Sequence, residues 1–438
     1  MTGSLMFLVF VAMLLGGVPI GISLGLAGTL AVLMMGTDLV AVATNVYTGI
    51  AKYPLIALPM FVLVGSVFDR SGVALRLVRF ASALVGAGRG ALGSVSVLVA
   101  MVIGGISGSG PATSAAVGKV VTNSMLRDGY PRSFIAATVG AAAATDILIP
   151  PSIAFIIYAV MVPTVSVPAI FAAGLFPGIL AGLAIIVPIV VISMVKNFGG
   201  KTRGEARPSI WQAFKDAFWG LLAPLVILGG MRVGAFTPTE AAVVAVFYGL
   251  AIGFFIYKTL TLKDLYEMLV EAGELSAIIL IVVALASVFA WSTSTLGIVQ
   301  PIAQAIVGLG LGEYGTIGLL MIVLIVIGMF LDGVSIYLIL VPILVPVANA
   351  FGWDLVWFGV LLTMKVAIGQ FTPPLAVNLM VSCKIAETSM ATYRALVFES
   401  PDFVPYFLAA SPIAEFDLLN IGSRPSRRAT EGGVEVQD

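Results

Sequence analysis

Two short stretches of this chain have the composition of a ligand cradle. Ser107-Gly108-Ser109-Gly110-Pro111 and Leu331-Asp332-Gly333 each interrupt an apolar run with small polar residues. Each is followed by a double proline, Ile149-Pro150-Pro151-Ser152 in the first case and Thr372-Pro373-Pro374 in the second. Proline removes an amide donor and frees a carbonyl upstream, so each pair offers hard oxygen ligands. Ser107, Ser109, Ser152 and Thr372 add hydroxyl oxygens, and the helix N-termini after each tip offer amides to an anion. Hard oxygens without imidazole suit a small monovalent cation better than a transition metal, and sodium is the natural choice. Asp332 has no basic residue near it in sequence. An unpaired carboxylate at membrane depth is costly, so Asp332 reads either as a ligand of that cation or as the cap of the following helix. Asp146, one turn before the first double proline, either faces the same cavity or reaches a backbone amide.

The elements that must hold these residues are membrane helices. The chain has 438 residues, of which 60% are hydrophobic and 10% charged, and its mean hydropathy is +1.12. That exceeds what a soluble core requires, so the solvent is the lipid bilayer. Lys plus Arg balances Asp plus Glu at 22 each, which leaves no basic field for nucleic acid. With no histidine, zinc sites and serine–histidine triads are excluded. The string Gly108 to Lys119 lacks phosphate-loop spacing, because Thr113 stands where the first glycine belongs and Val120 follows the lysine. No paired acidic motif for magnesium and a diphosphate appears on a cytosolic loop. The reading is a transporter with no cofactor beyond a coupling ion, not an enzyme. Cys383, in an apolar run, reads as a buried small hydrophobe.

The N-terminus lacks the basic region and cleavage site of a signal peptide. As one helix, Ser4 to Met35 would be roughly 48 Å long against a core of roughly 30 Å, so Pro19 and Gly21 are expected to break it into two short spans. Several later apolar runs exceed the length of a span. Others, such as Leu92 to Ile103, stop at glycine-rich polar turns, the mark of a segment that turns back inside the bilayer. Gly110 lies 40 residues before Pro150 and Gly333 lies 40 before Pro373, so the pattern repeats at an offset of 223. The same frame pairs Gly105 with Gly328, Gly129 with Gly352 and Tyr130 with Trp353. Five spans separate the two tips, and an odd number inverts the second copy. Basic residues agree: Arg70, Arg76, Arg79 and Arg89 precede the first hairpin and Lys119, Arg127 and Arg132 follow its tip, whereas no Lys or Arg occurs between Lys263 and Lys365. The first hairpin therefore has its ends inside and the second outside. The fold class is an all-α polytopic membrane protein of two inverted repeats, each with a re-entrant hairpin and a broken transmembrane helix, of elevator type. Its divisions are a first repeat over 1–195 (hairpin about 92–125, broken helix about 133–162), a basic cytoplasmic linker over 196–217, a second repeat over 218–395 (hairpin about 302–347, broken helix about 355–384), and a polar tail over 396–438.

Three motifs in this order, Gly105-Ile106-Ser107-Gly108-Ser109-Gly110-Pro111-Ala112-Thr113, Ile149-Pro150-Pro151-Ser152 and Thr372-Pro373-Pro374-Leu375-Ala376-Val377-Asn378-Leu379, resemble the large membrane subunit of tripartite ATP-independent periplasmic (TRAP) transporters over residues 1–395. The resemblance implies a multi-pass protein of the bacterial inner membrane. It also implies sodium-coupled uptake of an organic acid anion, typically a C4-dicarboxylate, a 2-oxo acid or a sialic acid. Its implied partners are a small four-helix membrane subunit and a periplasmic substrate-binding protein. By position it places one sodium among Ser107, Gly108, Ser109 and the Pro150–Ser152 turn, and another among Asp332, Gly333 and the Thr372–Pro374 turn. Gly110, Thr113 and Asn378 fall within the same motifs and join the site. The rival is a stand-alone dicarboxylate or citrate symporter of the same architecture.

Two departures stand out. Asp146 occupies a position where the family pattern usually has a small residue. The family also ends on an apolar span of about twenty residues, in whose place this chain has, from Ser400, a stretch through Ser423-Arg424-Pro425 that resembles a fragment of phosphoenolpyruvate carboxylase. A chimeric reading frame is the expectation there, and no carboxylase activity is carried over.

Overall fold

The computed structural model describes residues 2–200 and 209–390; the polar tail and its carboxylase-like motif lie outside them. The N-terminal stretch breaks as expected into α1 (Thr2–Leu15) and α2 (Ile20–Met34). The break is at Gly17, in the left-handed region at φ +79°, and Pro19, which precedes α2. Gly21 belongs instead to the first turn of α2, buried against Val282 of a later helix. After α3 (Val40–Ile50) and α4 (Ala57–Arg70) comes α5 (Val73–Val85), whose apolar residues recur at helical spacing instead of forming a run. It buries Val73, Ala74, Leu77, Val78 and Ala81, which is why charged positions such as Arg76 do not end it.

The first copy of the repeat is α6 (Ala91–Ser107), α7 (Gly110–Asp128), α8 (Arg132–Ala143) and α9 (Ile153–Met161). With 17 residues α6 reaches about 25 Å, short of the core thickness of about 30 Å. It turns back through Gly108-Ser109 onto α7, and α8 breaks before the chain resumes as α9. Four helices long enough to span follow: α10 (Val167–Val195), α11 (Ile210–Arg232), α12 (Pro238–Ala251), continued by a π-helical turn to Ile256, and α13 (Leu262–Thr295). The basic linker is shorter than the 196–217 expected, because α11 already begins at Ile210, with Trp211 stacked on Phe214 at 5.8 Å and Lys215 over the Trp211 ring at 5.2 Å. Likewise α13 extends through the charged residues Lys263 to Glu274, opened by a capping box in which Thr261 and Asp264 satisfy each other's amides. Thr237 and Glu240 form the same box on α12. Thr237→Ala is expected to cost about 1 kcal/mol, measured as a lower thermal midpoint in detergent.

The second copy is α15 (Gly312–Gly328), α16 (Gly333–Ala350), α17 (Leu355–Gly369) and α18 (Val377–Ile385), preceded by α14 (Val299–Val307), which falls on α5 at the offset of 223 as α5 precedes the first copy. At the offset of 223, α7 falls on α16, α8 on α17 and α9 on α18. Both double prolines are cis. The matched aromatics make the same tie in each copy: Tyr130 accepts from the Gly90 amide at 2.8 Å, and Trp353 donates to Glu313, the residue equivalent to Gly90, at 3.0 Å. Between the tips run the broken α8–α9 pair and then α10, α11, α12 and α13, five passes, so the second copy is inverted.

Helices α1 to α4 and α11 to α13 pack chiefly among themselves and with α5. The hairpins and broken helices interlock across the copies, α7 and α8 against α18 and α16 against α9. The distribution of basic residues leads us to expect the α14–α15 turn outside. Tyr314 there is 64% exposed, while the chain's one cysteine, Cys383, is buried. Tyr314→Cys is expected to be labelled in intact cells by an impermeant maleimide against a low background; labelling only after lysis would reverse the topology.

Candidate functional site

At the first tip, α6 ends on Ser107, Gly108 reverses the chain at φ +63°, and extended Ser109 leads into α7 at Gly110. A Cβ at Gly108 would lie 2.9 Å from the carbonyl oxygen of Pro151, so glycine allows the tip to touch the first break. Ser107 Oγ and Thr113 Oγ1 donate to Asp146 Oδ2 at 3.1 and 2.5 Å, and the two hydroxyls lie 3.1 Å apart. Asp146 is fully buried. It does not line the cavity; the other role open to it, reaching a backbone amide, is met by the Gly108 and Ser109 amides beside the carboxylate, while its shortest hydrogen bonds go to the hydroxyls of the hairpin.

At the second tip Asp332 caps α16, accepting from the Ser335 amide at 3.2 Å and from the Ser335 hydroxyl. The capping role weighed for this residue is therefore present, and its half-buried carboxylate also borders a cavity. In the second break the amides of Leu375 and Ala376 donate to the Met329 carbonyl, each at 3.2 Å, which ties the break to the hairpin. Ser152 and Thr372 lie within the breaks, off the cavity wall. Ser152 Oγ donates to the Ile147 carbonyl at 2.7 Å and caps α9, and Thr372 Oγ1 donates to the Ile368 carbonyl at 2.6 Å.

Asn378 reaches across the copies. Its carbonyl accepts from Ser114 Oγ at 3.0 Å, and its side-chain amide is buried against Gly110 with neither polar atom hydrogen-bonded. Gln370, not anticipated from sequence, lies beside Gly333 with Oε1 unpaired. Its only sequence signal was an amide side chain next to the last glycine of α17, overshadowed by the prolines that follow.

These parts converge on one cavity of ≈ 200 Å³, lined by Gly108, Ser109, Asp332 and Gln370 and by Gly110, Ile153, Gly333 and Val377. The last four are the first residues of α7, α9, α16 and α18. Four helix N-termini, each equivalent to roughly half a positive charge, thus meet at one place. Among the described residues no Lys or Arg lines it. The arrangement can hold an anion through backbone amides and a cation through hydroxyl, carboxylate and carbonyl oxygens. Pro150, Pro151, Pro373 and Pro374 shape the breaks without lining the cavity. A second cavity of ≈ 210 Å³ shares Ser109, Ile153 and Ile279 with the first and extends past Ser107 to Asp69, Lys119 and Glu271. Lys119 on the hairpin and Asp69 on α4 form an ion pair at 3.8 Å at its rim.

Two copies of a hairpin and a broken helix, closing on one largely apolar cavity with a few polar groups at the hairpin tips, inside a bundle of membrane helices, define a polytopic secondary-transporter architecture. The chain belongs to the DctM component family of tripartite ATP-independent periplasmic transporters, whose family model matches residues 7–414. That match extends into the stretch beyond residue 400. The chain is similar to the C4-dicarboxylate TRAP transporter large permease protein of Pseudomonas aeruginosa, at 40% identity over 85% of this chain and 87% of that one. It is 32% identical to the sialic acid TRAP transporter large permease protein of Vibrio cholerae, over 93% of this chain and 95% of that one. It is 35% identical to the isethionate TRAP transporter permease protein of Oleidesulfovibrio alaskensis, over 89% of this chain and 61% of that one. Among solved structures, the YdaH transporter of Alcanivorax borkumensis shares the fold with a TM-score of 0.59 at 15% identity, over 87% of this chain and 88% of that one. The protein is a multi-pass transport protein of the bacterial inner membrane and not an enzyme.

Proposed function

We propose that this chain is the large permease subunit for sodium-coupled uptake of a small organic acid anion, working with a small membrane subunit and a periplasmic substrate-binding protein. One observation carries the reading: four helix N-termini and two oxygen-bearing hairpin tips meet at a cavity lined by a carboxylate and by no basic side chain. The N-termini favour a substrate anion. Asp332 at the same wall repels it, and a cation between the two turns that repulsion into attraction, which links the two binding events. Sodium fits the donors because Ser107, Ser109, Asp332 and the carbonyls freed in the breaks are hard oxygens. Bound there, sodium would supply the positive charge that makes the anion site complete. The ≈ 200 Å³ of this cavity and the ≈ 210 Å³ of the one that adjoins it at Ser109, Ile153 and Ile279 leave room for a small organic acid anion such as a C4-dicarboxylate, a 2-oxo acid or a sialic acid.

In this reading the first tip separates the substrate cavity from the cavity that leads to Asp69, Lys119 and Glu271. Elevator-like movement of the interlocked hairpins and broken helices past the other helices would open it, and the Lys119–Asp69 pair would break in each cycle. The test is uptake into proteoliposomes holding this chain and its small subunit, with the binding protein outside. Accumulation of a labelled C4-dicarboxylate or 2-oxo acid that needs an inward sodium gradient and the binding protein is expected. Equal uptake in potassium would remove sodium from the reading, and uptake by this chain alone would favour a stand-alone symporter.

A further inference from the structure

We propose that Asp146 is the anionic ligand of a cation bound at the first hairpin tip, so that each copy of the repeat contributes one carboxylate but draws it from the opposite element. The inference rests on the sodium reading above and deepens it. At the offset of 223, Ser109 corresponds to Asp332 and Asp146 corresponds to Gly369. The second copy carries its acid on the hairpin tip, and the first carries its acid on the broken helix.

The surroundings of Asp146 favour a ligand over a clamp. The side chain is fully buried and enters no ion pair among the described residues. Its Oδ2 takes both hydroxyl protons, from Ser107 and Thr113, while Oδ1 has no hydrogen-bond partner. The amides of Gly108 and Ser109 also reach the carboxylate, but each is shared with a second acceptor, the Gly104 carbonyl at 3.1 Å and Ser107 Oγ at 3.4 Å, so they offset its burial only in part. A buried carboxylate oxygen without a partner is costly and calls for a positive charge. Hydroxyls that donate to Oδ2 keep lone pairs free, so Ser107 Oγ, Thr113 Oγ1 and Asp146 Oδ1 together offer three oxygens to one ion. Ser107 and Thr113 flank the tip on α6 and α7, so an ion held here bridges both arms of the hairpin to the first break. A carboxylate ligand strengthens such a site relative to hydroxyls and carbonyls alone. The first site is therefore expected to fill at lower sodium than a site lacking the acid.

The test is thermal melting of the detergent-purified chain in increasing sodium chloride, balanced with choline chloride, for the wild type, Asp146→Asn and Asp146→Gly. Glycine already occupies the equivalent position in the second copy. The expected result is a sodium-dependent rise in the wild type, with half-saturation moved about tenfold or more upward in the variants. A second measurement uses the unaltered chain: sodium is expected to protect Asp146 from a hydrophobic carbodiimide, read by peptide mass spectrometry. A sodium response retained at the same half-saturation in the variants, or equal labelling in sodium and choline, overturns the role of Asp146 alone. A wild type that does not respond to sodium overturns the sodium reading itself.

Discussion

Asp332→Asn is expected to fold as the wild type does and to lose most of its response to sodium, whereas Asp332→Ala is expected to lose the response and also melt earlier. The two substitutions separate the roles that the structure superimposes on this residue. The carboxylate accepts from the Ser335 amide and hydroxyl at the start of α16, and asparagine preserves that cap, while alanine costs about 1 kcal/mol. Both remove the negative charge from the cavity wall. A ligand that binds only the folded state adds about 2.7 kcal/mol at a concentration near 100 times its Kd, and the charge of Asp332 is what would sustain such a Kd. Thermal midpoints in sodium and in choline, measured for both variants, check this. A full sodium response in Asp332→Asn would leave the residue as a cap only.

The second large effect is steric. In the second copy α15 and α17 approach until a Cβ on Gly369 would lie 2.5 Å from the Gly328 backbone. Backbone cannot rotate away as a side chain can, so Gly369→Ala forces the helices apart, at a cost of about 1–3 kcal/mol. It also shifts Gln370 and the second break relative to the tip at Gly333. Gly318→Ala on the same α15 meets nothing within 4 Å and is expected to be neutral or to stabilise by about 0.5–1 kcal/mol, as glycine does not suit a helix interior. Melting of the two variants side by side, followed by uptake with the partner subunits, measures the difference. Equal midpoints would mean that the close packing of α15 on α17 does not support the site.

Composition and spacing along the chain are enough to specify the solvent, the class and the repeat. Hydropathy excluded water as the main environment, and the absence of histidine narrowed the chemistry. The frame linking Gly110 and Pro150 to Gly333 and Pro373 falls on the two turns and the two helix breaks, because backbone that leaves helix at membrane depth needs glycine, proline and small polar residues that nothing else in an apolar run requires; the outer bounds were less legible, as α15 begins at Gly312 and not near 302. Amphipathic α5 and the charged start of α13 escaped a reading built on continuous apolar runs, since their pattern is periodic. How the two copies share one site is visible only in the folded chain. That the first residues of α7, α9, α16 and α18 meet, that Asn378 of the second copy lies on Gly110 of the first, and that Gln370 lies beside Gly333 all depend on contacts between segments far apart in the chain. Spacing along one strand of sequence carries no record of them. Asp146 shows the division most clearly: its departure from the family pattern was legible, but its partners, Ser107 and Thr113, were assigned by the fold, which closes the hairpin over the break.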